Sequence, residues 1–320
     1  MIDYLNKITL MSFIATILVV VIHVVLQPPE ILSFFTRIAV PWFFLVSGFF
    51  AGKEYIRRGS FKSLMHRRFK TLVIPYLILN SFWFFVYSGL VWLAVKYFGS
   101  KEILDFSYCA YFRGLGFDLS CTPQISAFWY VRCLLLFLLL LPVITEFMRK
   151  GRSVSLFLVS GVMLLSTLYE YYKCDALPLF GFNMRGLPFF LLGVHFQIWP
   201  TNVRRYLGLV VTMFLGVGFW LLNIGNGVPM IALTIAAFWF LLPSLEIPSW
   251  MRTVTFPIYV LHQMVLYVLF IPLRFIDFGI SSCSINIALL LITIMLSVVI
   301  AKLINRYTPR ISLIIFGGRV

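Results

Sequence analysis

The stretch "VVVIHVVLQPPE", residues 19–30, decides the architecture. It closes an apolar run that begins near residue 8, and within the stretch itself His23 is the one polar residue before Gln27. Such a run reaches the roughly 20 residues a helix needs to cross a bilayer. Pro28 and Pro29 then stop the helix, because proline lacks the amide proton and disfavours helical geometry in the residue before it. A second apolar run starts at Ile31. Two such runs joined by the short polar turn "QPPE" form a membrane-crossing hairpin. Within it, an imidazole occupies a position where valine would be free of cost.

The remainder of the chain extends this pattern. Of 320 residues 61% are hydrophobic and only 12% charged, far from the balance of a soluble domain. The mean hydropathy is +0.98. Apolar runs near 8–27, 31–52, 71–95, 126–148, 154–172, 185–200, 206–224, 228–246, 254–273 and 284–305 predict an all-α, polytopic membrane protein of about ten transmembrane helices. No polar stretch is long enough to fold alone, so residues 1–320 are expected to be one transmembrane domain. The first run lacks a small-residue cleavage pattern and reads as a retained helix.

The net charge of +15 does not indicate nucleic acid, because the basic residues sit in short loops between apolar runs. One set of loops is basic: "GKEYIRRGSFKSLMHRRFK" (52–70), "RKGR" (149–152), "NVRR" (202–205) and the tail with Lys302, Arg306, Arg310 and Arg319. The alternate loops, "QPPE" (27–30), 96–125, "KCDALPLFGFN" (173–183), "NIGNG" (223–227) and 274–283, are poor in Lys and Arg. Strict alternation predicts that both termini are cytoplasmic. Cys109, Cys121, Cys174 and Cys283 fall in the expected outer loops, where an oxidising compartment permits a Cys109–Cys121 bond or free thiols alike. The sequence holds no metal-ligand spacing, no P-loop and no dinucleotide fingerprint.

Ionisable side chains inside a membrane are costly and mark functional candidates. Here they are His23, Arg37, Arg132, His195 and His262 within spans, with Glu170 and Arg185 at span edges. At ~1.5 Å per residue His23 lies roughly 6 Å, and Arg37 roughly 9 Å, below the outer boundary. Arg132 reaches a similar depth, whereas His195 and His262 are expected nearer the middle or the inner half. Arginines below the surface call for anionic or strongly accepting partners, and few carboxylates are at hand. A histidine exchanges protons near neutral pH and an arginine fork holds phosphate or an oxyanion. That set suits acyl transfer to an alcohol and suits proton-coupled anion transport equally.

Six segments in order resemble the membrane-bound acyltransferase 3 family over nearly the whole chain. "ATILVVVIHV" (15–24) is similar to its first-helix motif ending in histidine, and "AVPWFFLVSGFFAGK" (39–53) to its Ser-Gly-Phe helix. "RRFKTLVIPYLI" (67–78) resembles the basic motif at the start of the third helix. "FWYVRCLLLFLLLLPV" (128–143), "RGLPFFLLGVHF" (185–196) and "FPIYVLHQMVL" (256–266) resemble the later helices. The family usually has a basic residue eleven positions before the histidine, where this chain has Ser12.

The resemblance implies an inner (plasma) membrane O-acyltransferase of the cell envelope. It would move a short acyl group, acetyl by preference, from acyl-CoA to a hydroxyl of a surface polysaccharide or lipid-linked sugar. Acyl-CoA would serve as co-substrate, with no bound cofactor and no metal. His23 takes the place of the catalytic base, with Arg37 and Arg132 orienting the donor or stabilising charge. Arg67 and Lys70 fall on the family's basic pair, and Ser47, Arg185, Glu170 and His262 complete the candidate substrate-binding set. Polysaccharide or small-anion export is the alternative within the same family. A sensor or the membrane domain of a larger enzyme is a third reading.

Overall fold

The structure, a computed structural model, describes residues 2–25, 29–98, 107–115, 125–171, 178–199, 227–241, 245–273 and 282–317. Among these residues all regular structure is helical: α1 (Ile2–Val24), α2 (Glu30–Arg58), α3 (Phe61–Arg68), a π-helical turn (Phe69–Val73), α4 (Ile74–Phe98), α5 (Tyr108–Gly114), a 3₁₀ turn (Ser126–Phe128), α6 (Trp129–Arg149), α7 (Arg152–Tyr171), α8 (Pro178–Ile198), α9 (Val228–Leu241), α10 (Ser249–Leu273), α11 (Ser282–Tyr307) and α12 (Pro309–Ile315).

Among the described residues six stretches are long and apolar enough to cross a membrane: Leu5–Val24, Leu32–Arg58, Phe61–Tyr97, Ser126–Arg149, Arg152–Tyr169 and Ser284–Tyr307. The sequence reading expects ten. Helices α8, α9 and α10 occupy three of the other expected positions. However, α9 has only 14 residues, and polar side chains such as His195, Gln197, His262 and Gln263 dilute the other two. The expected span at 206–224 lies outside the described residues, as do Cys121 and Cys174. Large apolar side chains point outward on several helices, among them Val143, Phe157, Leu164 and Leu291. Apolar surface of this kind suits contact with lipid.

The bundle is organised around α2. Among the described elements its contact with α8 is the most extensive, and it also packs against α1 and α6. Two glycines allow the close approach. A Cβ on Gly48 would overlap the Phe190 carbonyl, and one on Gly193 would overlap that of Leu45. Small residues of this kind let membrane helices meet backbone to backbone. Gly48→Ala should therefore lower stability by about 1–3 kcal/mol, because the obstacle is backbone and cannot rotate away. Gly161, in α7, has nothing within 4 Å of its virtual Cβ. A Gly161→Ala control should leave the thermal unfolding midpoint in detergent unchanged or raise it.

Helix α2 ends at Gly59, whose φ of 63° suits glycine and whose N–H caps the Tyr55 carbonyl. Ser60 then starts α3 by accepting the Ser63 N–H at 3.3 Å. This tight turn folds Arg67 and Arg68 back onto the last turns of α2. The π-helical turn that follows is a rare conformation, frequently found at functional sites. Gly317, at φ 61°, packs beside the Thr71 carbonyl and so ties the end of α12 to that turn.

Candidate active site

Helices α1, α2, α3, α6 and α10 enclose a cavity of about 830 Å³, within the usual range for small-molecule sites. Its long wall is α2, from Phe43 to Arg57, some ~20 Å of helix. Thr9, Ser12 and Thr16 of α1 face it, and so do Arg252, Phe256 and Tyr259 of α10. The two ends differ sharply in character.

One end is cationic. Lys53, Arg57, Arg67, Arg68 and Arg252 line it, against the single carboxylate of Glu54. Glu54 is only 8% exposed and holds three arginines: Arg58 at 3.4 Å, Arg67 at 3.1 Å and Arg68 at 3.0 Å. A buried carboxylate needs such partners, and the arginines in turn gain a fixed geometry. The cluster retains a surplus of positive charge. The Arg68 Nε is buried and meets no hydrogen-bond partner among the described residues.

The other end is aromatic. Phe43, Tyr130 and Tyr259 close it, with ring centres 5.8–6.1 Å apart. The Tyr130 hydroxyl donates to the Phe43 carbonyl at 3.2 Å, so Ser47 donates to the Tyr130 oxygen at 2.6 Å. The Tyr259 hydroxyl donates to the Ala127 carbonyl at 2.6 Å. Gln263, one turn on, accepts the Ala127 N–H at 2.9 Å and donates to Ser126 at 2.7 Å. Asn80 accepts the Ile125 N–H at 3.1 Å. These bonds pin the 3₁₀ turn before α6 against α10 and α4.

Beyond the aromatic layer lie two histidines. His23, near the end of α1, and His262 of α10 have ring centres 5.3 Å apart. The His262 ring is 6.1 Å from that of Tyr259. The placement of His262 deeper than His23 is thus corrected. Helices α1 and α10 run in parallel, as the Phe13–Trp250 ring contact at 5.5 Å confirms one end further down. Because α10 begins at Ser249 rather than near 254, His262 climbs to the level of His23. His195, by contrast, is buried between helices and bonded to Ser155 at 2.8 Å.

The other expected site residues distribute unevenly. Ser47 and Arg67 line the cavity. Lys70 lies in the π-helical turn, exposed and off the cavity wall, and Arg68 stands there in its place. Arg37 and Arg185 are exposed and Arg132 half-buried; none of the three lines the cavity, and each engages other groups within the chain. Glu170 sits in the last turn of α7, and its side chain lies outside the described residues. Ser12 lines the cavity and accepts the Trp42 indole N–H at 3.2 Å. The cavity's cations therefore come from α2, α3 and α10 and not from α1. Glu54, Arg57, Arg252, Tyr130 and Tyr259 were missed. Glu54 alone had a legible signal, a lone carboxylate four residues before Arg58 in a basic loop.

The family model described as an acyltransferase domain, acyltransferase 3, matches residues 5–306. The chain belongs to that family. This multi-pass membrane acyltransferase matches no curated protein and no solved structure. All the cavity and both facing histidines fall within the matched residues. Among the described residues of the acyltransferase there is no group of three or more His, Cys, Asp or Glu able to hold a metal ion.

Proposed function

We propose that the protein transfers a short acyl group, acetyl by preference, from acyl-CoA to a hydroxyl of a surface or lipid-linked glycan.

 The observation that carries this reading is the cavity: a cationic mouth at one end, and at the other a single aromatic layer beneath a histidine pair. By the positive-inside rule the mouth faces the cytoplasm of a plasma (inner) membrane protein, which is where acyl-CoA is found. Lys53, Arg57, Arg67, Arg68 and Arg252 suit the phosphates of CoA. The buried Arg68 Nε supplies a donor with no competing partner among the described residues. The pantetheine arm follows the α2 wall past Ser47 and Tyr130, and the thioester meets the aromatic layer.

The glycan hydroxyl approaches His23 from the opposite side. His23 takes the hydroxyl proton as the oxygen adds to the thioester carbonyl. The carbon–sulfur bond then breaks, and the proton passes to the departing CoA thiolate. The products are the acyl ester and free CoA, and no redox partner or bound cofactor is needed. Arg37 and Arg132 lie off the cavity, so in this scheme they do not hold the donor.

The test is purified protein in liposomes supplied with radiolabelled acetyl-CoA and a lipid-linked glycan extract. Free CoA thiol released in step with label on the glycan supports acyl transfer. Intact acetyl-CoA together with glycan or anion movement across the bilayer would replace this reading with transport.

A further inference from the structure

His262 is fully buried, at 0% exposure, on α10. Its Nδ1 lies 2.7 Å from the Tyr259 carbonyl and 3.1 Å from that of Ile258. Carbonyl oxygens only accept, so Nδ1 carries the proton and the neutral ring presents a bare lone pair at Nε2. That Nε2 is buried and meets no hydrogen-bond partner among the described residues. Leaving a buried polar atom unmatched is unfavourable, and such an atom in a native fold calls for a reason.

The neighbouring polar groups of the same turn are already committed. The Tyr259 hydroxyl is bound to Ala127, and both ends of the Gln263 amide are bound to the 3₁₀ turn. His23 is the ring that remains. With centres 5.3 Å apart, ring nitrogens turned toward each other along the line of centres would stand roughly 3 Å apart, a hydrogen-bonding distance.

We propose that His262 is the positioning partner of His23: its Nε2 accepts the N–H of His23 and so aims the other His23 nitrogen, with its lone pair, at the acceptor hydroxyl. The inference rests on the acyl-transfer reading above. Two backbone carbonyls fix the tautomer of His262, His262 fixes the tautomer of His23, and His23 removes the proton. When His23 becomes an imidazolium it keeps its hydrogen bond to His262 until the thiolate collects the proton. The second histidine fills the orienting place that a carboxylate fills in other catalytic triads, without bringing a net negative charge into the membrane.

The test uses the full chain in liposomes and four proteins: wild type, His23→Ala, His262→Phe and His262→Gln. CoA affinity is measured beside the rate. His262→Phe keeps the ring volume and removes the acceptor; its kcat should fall about 100-fold or more, with CoA affinity within about twofold of wild type. His262→Gln, whose amide oxygen can accept near the Nε2 position, should recover at least about tenfold of that loss. A merely structural histidine would show neither the split between kcat and affinity nor the rescue. The proposal is overturned if His262→Phe turns over within about threefold of wild type while His23→Ala is inactive. It is equally overturned if His262→Gln is no better than His23→Ala. Should His262→Phe fail to fold, the glutamine variant decides alone on the same criterion. A folded wild type that consumes no acyl-CoA overturns the acyl-transfer reading, and this inference with it.

Discussion

His23→Ala should lower acyl transfer by about 10²–10⁴-fold, the range expected when a general base is removed. The half-buried ring sits at the end of α1, beyond the aromatic layer and off the wall of the cavity. Its loss should therefore leave CoA affinity intact. The hydrogen bond proposed with His262 is the contact that this ring would give up, so expression and thermal unfolding should stay close to wild type. The check is initial rate of CoA release together with CoA binding on the same preparation. Wild-type turnover in His23→Ala would remove His23 from the chemistry altogether.

The second large effect belongs to the other end of the cavity. Arg68→Met should raise the KM for acyl-CoA by about 10–100-fold, the equivalent of losing one charge-assisted contact to phosphate, with kcat changed little. Arg68 is the best placed of the cluster. Its side chain is 18% exposed, Glu54 holds its Nη2, and its Nε is left to donate. Arg58→Met is the control: Arg58 also contacts Glu54, but it does not line the cavity. Its KM should stay close to wild type. Steady-state kinetics over a range of donor concentrations separates the two variants. Equal effects would mean that the cluster acts only by its total charge.

The helices were legible because an apolar run of bilayer length has few alternatives. The hairpin at "QPPE", the helix with Ser47 and Gly48, and the histidine on α1 follow from such runs alone. The His23–His262 pairing did not. Periodicity tells which face of a helix a residue occupies, and says nothing about which helix will lie against it. The reason that His262 stands level with His23 is definable: an apolar run counted from 254 leaves out the first five residues of α10, which begins at Ser249, and at ~1.5 Å per residue that shifts the expected level of His262 by roughly 7–8 Å. The basic loop was legible as a charge excess, but its internal order was not. That Glu54 gathers Arg58, Arg67 and Arg68, while Lys70 turns away, depends on the two-residue turn at Gly59 and Ser60 and on the π-helical turn.

The layer formed by Phe43, Tyr130 and Tyr259 has a consequence for the energetics of the cell. The cavity on one side and the two facing histidines on the other are separated by little more than the thickness of these rings. A continuous file of water there would let protons run down their electrochemical gradient with every opening. Rings whose hydroxyl protons are already committed to backbone carbonyls offer water few places to bond, so the layer would act as electrical insulation. An acyl group, uncharged and slender, is the kind of cargo that such insulation can let by without a short circuit.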